Sequence, residues 1–415
     1  MHQCTHRLSF LNPYFIFLAF MELQIGTVSA ITLAKEYATP LYVYDKQIIL
    51  KRIQELKDAF PNAHICYAIK ANPNHSILKL IAQQGLGVDC SNRFELELAE
   101  KAGFDLKKSV FTSTNPSNED LKKALSTGVL MNIDHISIWR RMQKIALPKK
   151  ISFRINPGFG KGKFPEIDVG GKDSKFGMSE ELATECYRLA KESGIKNFGI
   201  HMMTGSCILD EAYFEKLVQT IEMIAENIEN KVGIKFDWID IGGGIGVPYE
   251  PFEKPLNLKN MGERIKFIKK SNAVLVLEPG RYIVAESGTL LTTVTTVKDY
   301  FIGVDAGMTT LIRPMLYGAY HPIVLANDTS LPETEKLTVV GPICEGTDCF
   351  AKDRPLPKIK EGDILAIQIA GAYGFIMGSQ YNGQPRPAEV LVSNGFHTII
   401  RRRETTEDLI RNETN

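Results

Sequence analysis

A lysine stands at the end of an apolar, β-rich run, in the segment Tyr67-Ala-Ile-Lys70-Ala-Asn72. Partial burial at the end of a strand would lower the pKa of this amine, which suits a nucleophile that forms a Schiff base. The alternative is an exposed lysine at the start of a loop. The segment by itself leaves both interpretations open.

Two later segments carry groups that can hold an anion. His201-Met-Met-Thr-Gly-Ser206 ends in a hydroxyl donor, and Gly242-Gly-Gly-Ile-Gly246 is nearly all glycine. Clustered glycines let backbone N–H groups approach a phosphate closely. A tight turn is the simpler explanation of a glycine run, but barrels of alternating strands and helices often bind phosphate at their last loops.

An acidic residue closes another apolar run, in Glu278-Pro-Gly-Arg281. A carboxylate at the end of a buried strand must be paired, protonated or hydrogen-bonded. A protonated pyridine nitrogen would be a suitable partner, and a local ion pair with Arg281 is the alternative. Together, the lysine, the phosphate cradle and the pyridinium partner indicate pyridoxal 5'-phosphate as cofactor, in an arrangement that favours decarboxylation.

The second half of the chain adds groups suited to substrate binding and proton transfer. Arg313 can clamp a carboxylate through two parallel hydrogen bonds. Cys344 can donate a proton to a carbanion, although a lone cysteine is more often a core residue. Tyr373 can either reach a phosphate or belong to the core.

These residues follow a regular alternation of strands and helices. The pattern predicts strands at 64–69, 86–89, 109–112, 129–133, 150–155, 197–202, 236–241 and 273–278. Helical segments are predicted between them, and a further helix over 46–59. Eight βα units of this size predict a (β/α)8 TIM barrel, whose active site lies at the carboxyl ends of the strands.

After residue 285 the pattern changes to β-branched runs separated by Gly, Pro and Asp, which predicts a mostly antiparallel β domain. We therefore expect a barrel over 46–285 and a β domain formed by 30–45 and 286–410. Residues 1–29 are expected to be an extension, disordered at least in part. Its apolar stretch 8–20 is interpreted as the result of an upstream translation start or as a disordered segment, in preference to a signal peptide.

Composition excludes several function classes. The chain has 415 residues, and its 49 basic and 48 acidic side chains give no electrostatic case for nucleic acid or anionic membranes. No apolar run reaches the length of a membrane span. Seven cysteines without any CxxC spacing indicate neither disulfides nor a metal site, so we expect a reducing, cytoplasmic location.

Seven motifs in collinear order resemble the diaminopimelate decarboxylases, over about residues 30 to 410. The motifs are Tyr67-Ala-Ile-Lys-Ala-Asn72, Arg154-Ile-Asn-Pro-Gly158, Gly242-Gly-Gly, Glu278-Pro-Gly-Arg281, Arg313-Pro-Met-Leu-Tyr317-Gly-Ala-Tyr-His321, Gly341-Pro-Ile-Cys-Glu345 and Gly371-Ala-Tyr-Gly374. The resemblance implies an alanine-racemase-type barrel with a β domain, working as a homodimer. It also implies conversion of meso-diaminopimelate to L-lysine and carbon dioxide, the last step of lysine synthesis.

The resemblance further implies a role for each motif residue. Lys70 would hold the cofactor covalently, Glu278 would pair with its ring nitrogen, and His201 and Asp89 would lie near it. The phosphate would be held by Ser206, Gly243, Gly244, the 278–281 turn with Gly280, and Tyr373. Substrate would be bound by Arg281, Arg313, Tyr317, Glu345 and Tyr373, and Cys344 would be the proton donor, supplied across the dimer interface.

Two positions depart from the family pattern. Met203 stands where the family usually has a histidine stacked on the cofactor ring, and Gln384 stands where it usually has an arginine, with Arg386 two residues on. These changes leave open a same-fold decarboxylase acting on ornithine or carboxynorspermidine. A cofactor-free regulatory relative would not need Lys70 and Cys344, and an alanine racemase would not need Cys344 beside Glu345.

Overall fold

The structure is a computed structural model that describes residues 21–163, 170–171 and 174–414. Eight parallel strands in it form a closed barrel, in which each strand pairs with the next along the chain and the eighth closes on the first. In chain order they are His64–Ala68, Gly87–Cys90, Val110–Ser113, Leu130–Ile133, Lys150–Arg154, Asn197–His201, Phe236–Asp240 and Val274–Leu277. The barrel and the predicted strands are confirmed, with bounds that differ by one or two residues.

Helices lie between the strands and cover the outside of the barrel. They are Lys46–Ala59, His75–Ala82, Arg93–Ala102, Asn118–Thr127, Ile136–Gln143, Glu180–Glu192, Glu211–Val232, Leu258–Ile268 and Arg281–Val284. The longest, Glu211–Val232, buries Phe214, Leu217, Val218 and Ile221, whose spacing of three and four residues gives it one apolar face. It begins where Asp210 caps the Ala212 N–H and ends at Gly233, whose φ of 70° a side chain would disfavour.

A second sheet of nine strands stands beside the barrel. Its strands are Leu41–Asp45, Gly288–Lys298, Phe301–Val304, Ile323–Leu325, Glu335–Val340, Cys349–Leu356, Ile364–Ile367, Ala388–Ser393 and Phe396–Arg401. Two neighbouring pairs are parallel and the other pairs are antiparallel, as the mostly antiparallel prediction requires. Short helices at Ala30–Tyr37, Arg313–Tyr317 and Thr406–Ile410 accompany this sheet.

The loop after the first barrel strand is tied directly to the second sheet. Asn72 Nδ2 donates to the Gly371 carbonyl at 3.0 Å, and Asn74 Nδ2 donates to Glu389 at 2.8 Å. The Tyr373 N–H donates to the Ala71 carbonyl at 2.8 Å. These buried hydrogen bonds fix the position of the turn Ile69–Ala71, which carries Lys70.

The amino-terminal segment differs from the expectation in part. Gln24–Ile25 and Val28–Ser29 pair as a small hairpin, and Ile25 and Val28 pack into the core of the second sheet. Ordered structure therefore begins before residue 30, because two apolar side chains are buried there. The apolar stretch 8–20 lies outside the described residues. Among the described helices none is both long and apolar enough to cross a membrane.

Candidate active site

A cavity of about 250 Å³ opens at the carboxyl ends of the barrel strands. All nine residues expected to bind the cofactor line it: Lys70, His201, Ser206, Gly243, Gly244, Glu278, Gly280, Arg281 and Tyr373. They come from loops far apart in the chain, and the barrel brings them together because parallel strands end at the same rim. Met203, Thr112 and Arg154 also line the cavity.

Lys70 points into this cavity and is paired with a buried aspartate. Its Nζ donates to Asp89 Oδ2 at 2.5 Å, and about half of its side chain is accessible, on the side that faces the cavity. Burial alone would lower the pKa of Lys70, but the charges of Asp89 and Glu278 raise it overall. The expectation that Lys70 has a lowered pKa is therefore wrong for the protein without cofactor, because the two carboxylates outweigh the effect of burial.

Asp89 can accept the proton that Lys70 must release before it acts as a nucleophile. Its side chain is fully buried, and its second oxygen has no hydrogen-bond partner in the described part of the chain. Burial and the nearby Glu278 raise the pKa of Asp89. A carboxylate with a raised pKa in contact with the amine is the arrangement that general-base activation requires.

Glu278 lies in the cavity wall as an ionised carboxylate. Its Oε1 accepts from Thr112 Oγ1 at 3.2 Å, and its Oε2 is 3.5 Å from His201 Nε2. Burial would raise the pKa of Glu278, but His201, Lys70 and a hydrogen bond with Asp240 lower it to about 2. The alternative of a local ion pair does not hold, because Arg281 donates instead to Tyr249 at 2.9 Å and to Ser206 at 3.4 Å.

A layer of polar side chains inside the barrel supports Glu278, and the sequence analysis missed it. Asn132 Nδ2 donates to Thr112 Oγ1 at 2.9 Å and to Asp240 Oδ2 at 3.3 Å, and Ser152 donates to Asn132. Burial and the charge of Glu278 raise the pKa of Asp240 well above its usual value. The signal in the sequence is a polar residue beside apolar ones in each of four strands, namely Thr112, Asn132, Ser152 and Asp240.

The glycines opposite Lys70 are required by close backbone contacts. A Cβ on Gly243 would lie 2.5 Å from the Glu278 carbonyl oxygen, and one on Gly244 would lie 2.9 Å from the Gly205 carbonyl oxygen. Gly244 also has a φ of 90°, which an L-residue rarely adopts. Without side chains at Gly243 and Gly244, an anion can approach the backbone of this turn beside the Ser206 hydroxyl.

Arg281 and Arg313 lie buried near one another beside two aromatic rings. The Tyr373 ring lies 4.7 Å from the Arg281 guanidinium, and the Tyr249 ring lies 4.7 Å from that of Arg313. Tyr317 ends the short helix that begins with Arg313 and is half-buried. The substrate residues predicted on this helix thus stand on one rigid element.

Cys344 and Glu345 are not brought into the cavity of their own chain. Both are exposed, in the loop between strands Glu335–Val340 and Cys349–Leu356, and neither lines the cavity. Glu345 Oε1 accepts from the Thr347 N–H at 3.3 Å. Their predicted roles in catalysis and substrate binding are therefore not supported by contacts within one chain, and they stay predictions.

The two departures from the family pattern occupy different places. Met203 lines the cavity and packs against the turn at Gly242, where a Cβ would lie 2.7 Å from its Sδ. Gln384 follows the short turn Tyr381–Gly383 away from the cavity. Arg386 stacks on Phe375 at 4.1 Å and does not line the cavity, so it does not replace the missing arginine there.

The residues present fit pyridoxal phosphate. The cavity offers an amine at one side, a glycine turn with a hydroxyl at another, and an ionised carboxylate in its wall. His201 is fully buried, with its Nε2 at 3.5 Å from Glu278, yet its Nδ1 has no hydrogen-bond partner in the described structure. A buried ring nitrogen without a partner indicates a missing neighbour.

Comparisons with known proteins agree with this geometry. Residues 46–285 match the family model of the pyridoxal-binding domain of pyridoxal-dependent decarboxylases. A diaminopimelate decarboxylase of Methanothermobacter thermautotrophicus is 42% identical over 94% of this chain and 95% of its own length. The crystal structure of the Helicobacter pylori diaminopimelate decarboxylase, complexed with L-lysine, is 36% identical with a TM-score of 0.87, covering 92% of this chain and 98% of that chain. The enzyme from M. jannaschii, also in complex with L-lysine, is 31% identical with a TM-score of 0.89, covering 95% of this chain and 96% of that chain.

Proposed function

The chain belongs to the diaminopimelate decarboxylase family of pyridoxal-dependent decarboxylases, and we propose on that basis that it converts meso-2,6-diaminopimelate to L-lysine and carbon dioxide. This reaction is the last step of lysine biosynthesis. The observation that carries the proposal is the meeting of Lys70, Glu278 and the glycine turn around one cavity. The relatives extend the assignment over nearly the whole chain.

We propose that the cofactor is held by groups that line the cavity. Lys70 is the amine that would bind it covalently, and Asp89 is positioned to take the proton that the ammonium gives up. Ser206 and the N–H groups at Gly243 and Gly244 would hold the phosphate. Glu278, kept ionised by its neighbours, would accept a hydrogen bond from a protonated ring nitrogen.

Pyridoxal phosphate, when bound, supplies an electron sink for the electron pair released as the C–COO⁻ bond breaks. The chain itself must then bind the substrate, exclude water and return one proton to the carbon that lost carbon dioxide. Arg281 and Tyr373 line the cavity, and Arg313 lies next to them across the Tyr249 ring. Two buried guanidiniums suit the carboxylate that the substrate keeps.

We propose that Cys344 and Glu345 act in the cavity of a second copy, so that the enzyme is a homodimer with shared active sites. The exposure of both residues, and their absence from the cavity of their own chain, support this arrangement. The Cys344 thiol would transfer its proton to the substrate carbon and regain one from solvent. Glu345 would pair with the distal ammonium group of the substrate.

We also propose that the enzyme works in the cytoplasm. Six cysteines lie in the described residues, and all six are free thiols. Free thiols are the usual state in a reducing compartment, where small-molecule biosynthesis takes place.

A second candidate is a decarboxylase of the same fold that acts on ornithine or carboxynorspermidine. Met203 in the cavity favours it, because a thioether replaces the expected imidazole at the ring face. The buried guanidiniums of Arg281 and Arg313 favour diaminopimelate, which keeps one carboxylate after decarboxylation. Ornithine keeps none.

The test is product formation by the purified protein with pyridoxal phosphate and meso-diaminopimelate. We expect lysine and carbon dioxide in equal amounts. Lys70→Ala is the control, and it should lose both the turnover and the visible absorbance of the covalently held cofactor. Wild-type protein that binds the cofactor but forms no lysine would refute the substrate assignment, and retained absorbance in the Lys70→Ala protein would refute the role of Lys70.

A further inference from the structure

Arg281 and Arg313 form an unusual pair because both are buried without an acidic partner. Their side chains are only 7% and 3% exposed, and neither makes an ion pair with any residue that the structure describes. Two like charges held together in a dry site repel one another, so something must compensate for them. The groups that contact them are neutral.

Tyr249 contacts both arginines. Its hydroxyl oxygen accepts a hydrogen bond from Arg281 Nη1 at 2.9 Å, and its ring face lies 4.7 Å from the Arg313 guanidinium carbon. Tyr249 is itself buried, and its backbone N–H is fixed by Glu253 at 2.8 Å. One side chain therefore joins an arginine of the barrel to an arginine of the second sheet domain.

His321 makes a second contact with Arg313. Its Nδ1–H donates to the Gln368 carbonyl at 2.9 Å, which leaves Nε2 to accept from Arg313 Nη1 at 2.8 Å. Burial and the charge of Arg313 lower the pKa of His321 to about 3, so the ring stays neutral at physiological pH. The His321 ring also meets the Tyr249 ring edge to face at 5.3 Å.

We propose that Tyr249 is a positioning residue that, with His321, holds Arg281 and Arg313 side by side as a preformed site for the carboxylate that the substrate keeps. This inference rests on the proposed function. An aspartate or glutamate at position 249 would neutralise one of the two charges and occupy guanidinium donors. A phenol and an imidazole instead orient the guanidiniums and leave both charges for the ligand.

Other charged groups near Tyr249 do not take over this role. Lys163 Nζ lies 5.6 Å from the ring, and it is paired with Glu250 at 3.2 Å and Glu253 at 2.6 Å. This cluster keeps one net negative charge, but neither carboxylate makes an ion pair with Arg281 or Arg313 in the described part of the chain. Tyr249 remains the contact that the two unpaired arginines share.

The test compares two Tyr249 variants of the cofactor-loaded enzyme. Tyr249→Phe removes the hydrogen bond to Arg281 and should raise KM about tenfold with kcat changed less than about twofold. Tyr249→Leu also removes the ring face and should raise KM roughly tenfold further. Tyr187→Phe is the control for loss of a buried hydroxyl, since this tyrosine loses its hydrogen bonds to Gly199 and Phe153 but does not line the cavity.

Inhibition constants separate positioning from a general structural effect. L-Lysine keeps the carboxylate in question, whereas pentane-1,5-diamine has the same chain without it. We expect both Tyr249 variants to weaken inhibition by lysine in proportion to KM and to leave inhibition by the diamine unchanged. Tyr187→Phe should lower the melting temperature without changing either constant.

Each outcome decides the inference. Equal weakening of lysine and diamine, or an unchanged KM in both Tyr249 variants, would overturn it. Loss of cofactor absorbance alongside the rise in KM would also overturn it, because Tyr249 would then affect binding of the cofactor phosphate near Ser206. If Tyr249→Leu fails to fold, Tyr249→Phe alone still gives the comparison. Wild-type turnover of diaminopimelate tests the proposed function separately.

Discussion

Replacement of Asp240 by asparagine should change how the stability of the cofactor-free protein depends on pH. The Asp240 carboxyl is fully buried beside Glu278 and shares a hydrogen bond with it. Its Oδ1 accepts from the Gly242 N–H at 2.8 Å, and its Oδ2 accepts from Asn132 at 3.3 Å. We infer that Asp240 carries the proton of this pair and donates it toward the ionised Glu278.

The sign and size of the effect follow from proton binding. Burial and Glu278 raise the pKa of Asp240 in the folded state, whereas the unfolded chain releases this proton above about pH 3.9. The folded state therefore binds one proton more, and stability falls as pH rises, by up to about 1.4 kcal/mol per pH unit. Glu278, with its pKa lowered to about 2, stays ionised from pH 5 to 7 and adds no slope there.

Asp240→Asn keeps a donor toward Glu278 without needing a proton. The difference in free energy of unfolding between this variant and the wild type should therefore move in favour of the variant as pH rises from 5 to 7, by at most about 2.7 kcal/mol. Chemical denaturation at several pH values measures it, and difference infrared spectra should lose one carboxylic-acid band. Glu278→Gln should make stability fall less steeply with pH without abolishing the fall, because burial still raises the pKa of Asp240. Parallel curves for Asp240→Asn and wild type would refute the reasoning.

The remaining predictions concern the proton donor and the ring face. Cys344→Ala should keep the bound cofactor but lower turnover at least about 100-fold, the usual contribution of a positioned general acid. Mixing the Cys344→Ala protein with Lys70→Ala protein should restore about a quarter of wild-type activity if each site takes residues from two copies. No recovery after the two proteins exchange subunits would contradict the shared site. Met203→His should bind the cofactor about fivefold more tightly through ring stacking; unchanged affinity would show that the methionine already serves this purpose.

The barrel was predictable because its strands and helices follow local patterns. Each apolar run and each helical stripe, such as the one in Glu211–Val232, is formed by residues that are close together in the sequence. The cavity residues could then be placed from topology, since residues that follow barrel strands meet at one rim. His201, Gly243 and Glu278 were found by this rule.

What the sequence did not predict depends on contacts between distant elements. The pKa of Lys70 was misjudged because Asp89 is 19 residues away and reaches it only through the pairing of Ala68 with Asp89 in adjacent strands. Tyr249 and His321 likewise gain their significance from partners on other loops. Such contacts are set by register and packing, which no local pattern contains.

The most direct test of the central claim compares three substrates on one enzyme preparation. The purified protein, loaded with pyridoxal phosphate, is assayed for kcat/KM on meso-diaminopimelate, ornithine and carboxynorspermidine. We predict that meso-diaminopimelate gives the highest value, with L-lysine as its product, because the buried arginines match the carboxylate that this substrate keeps. A higher value for either of the other two substrates would contradict the assignment.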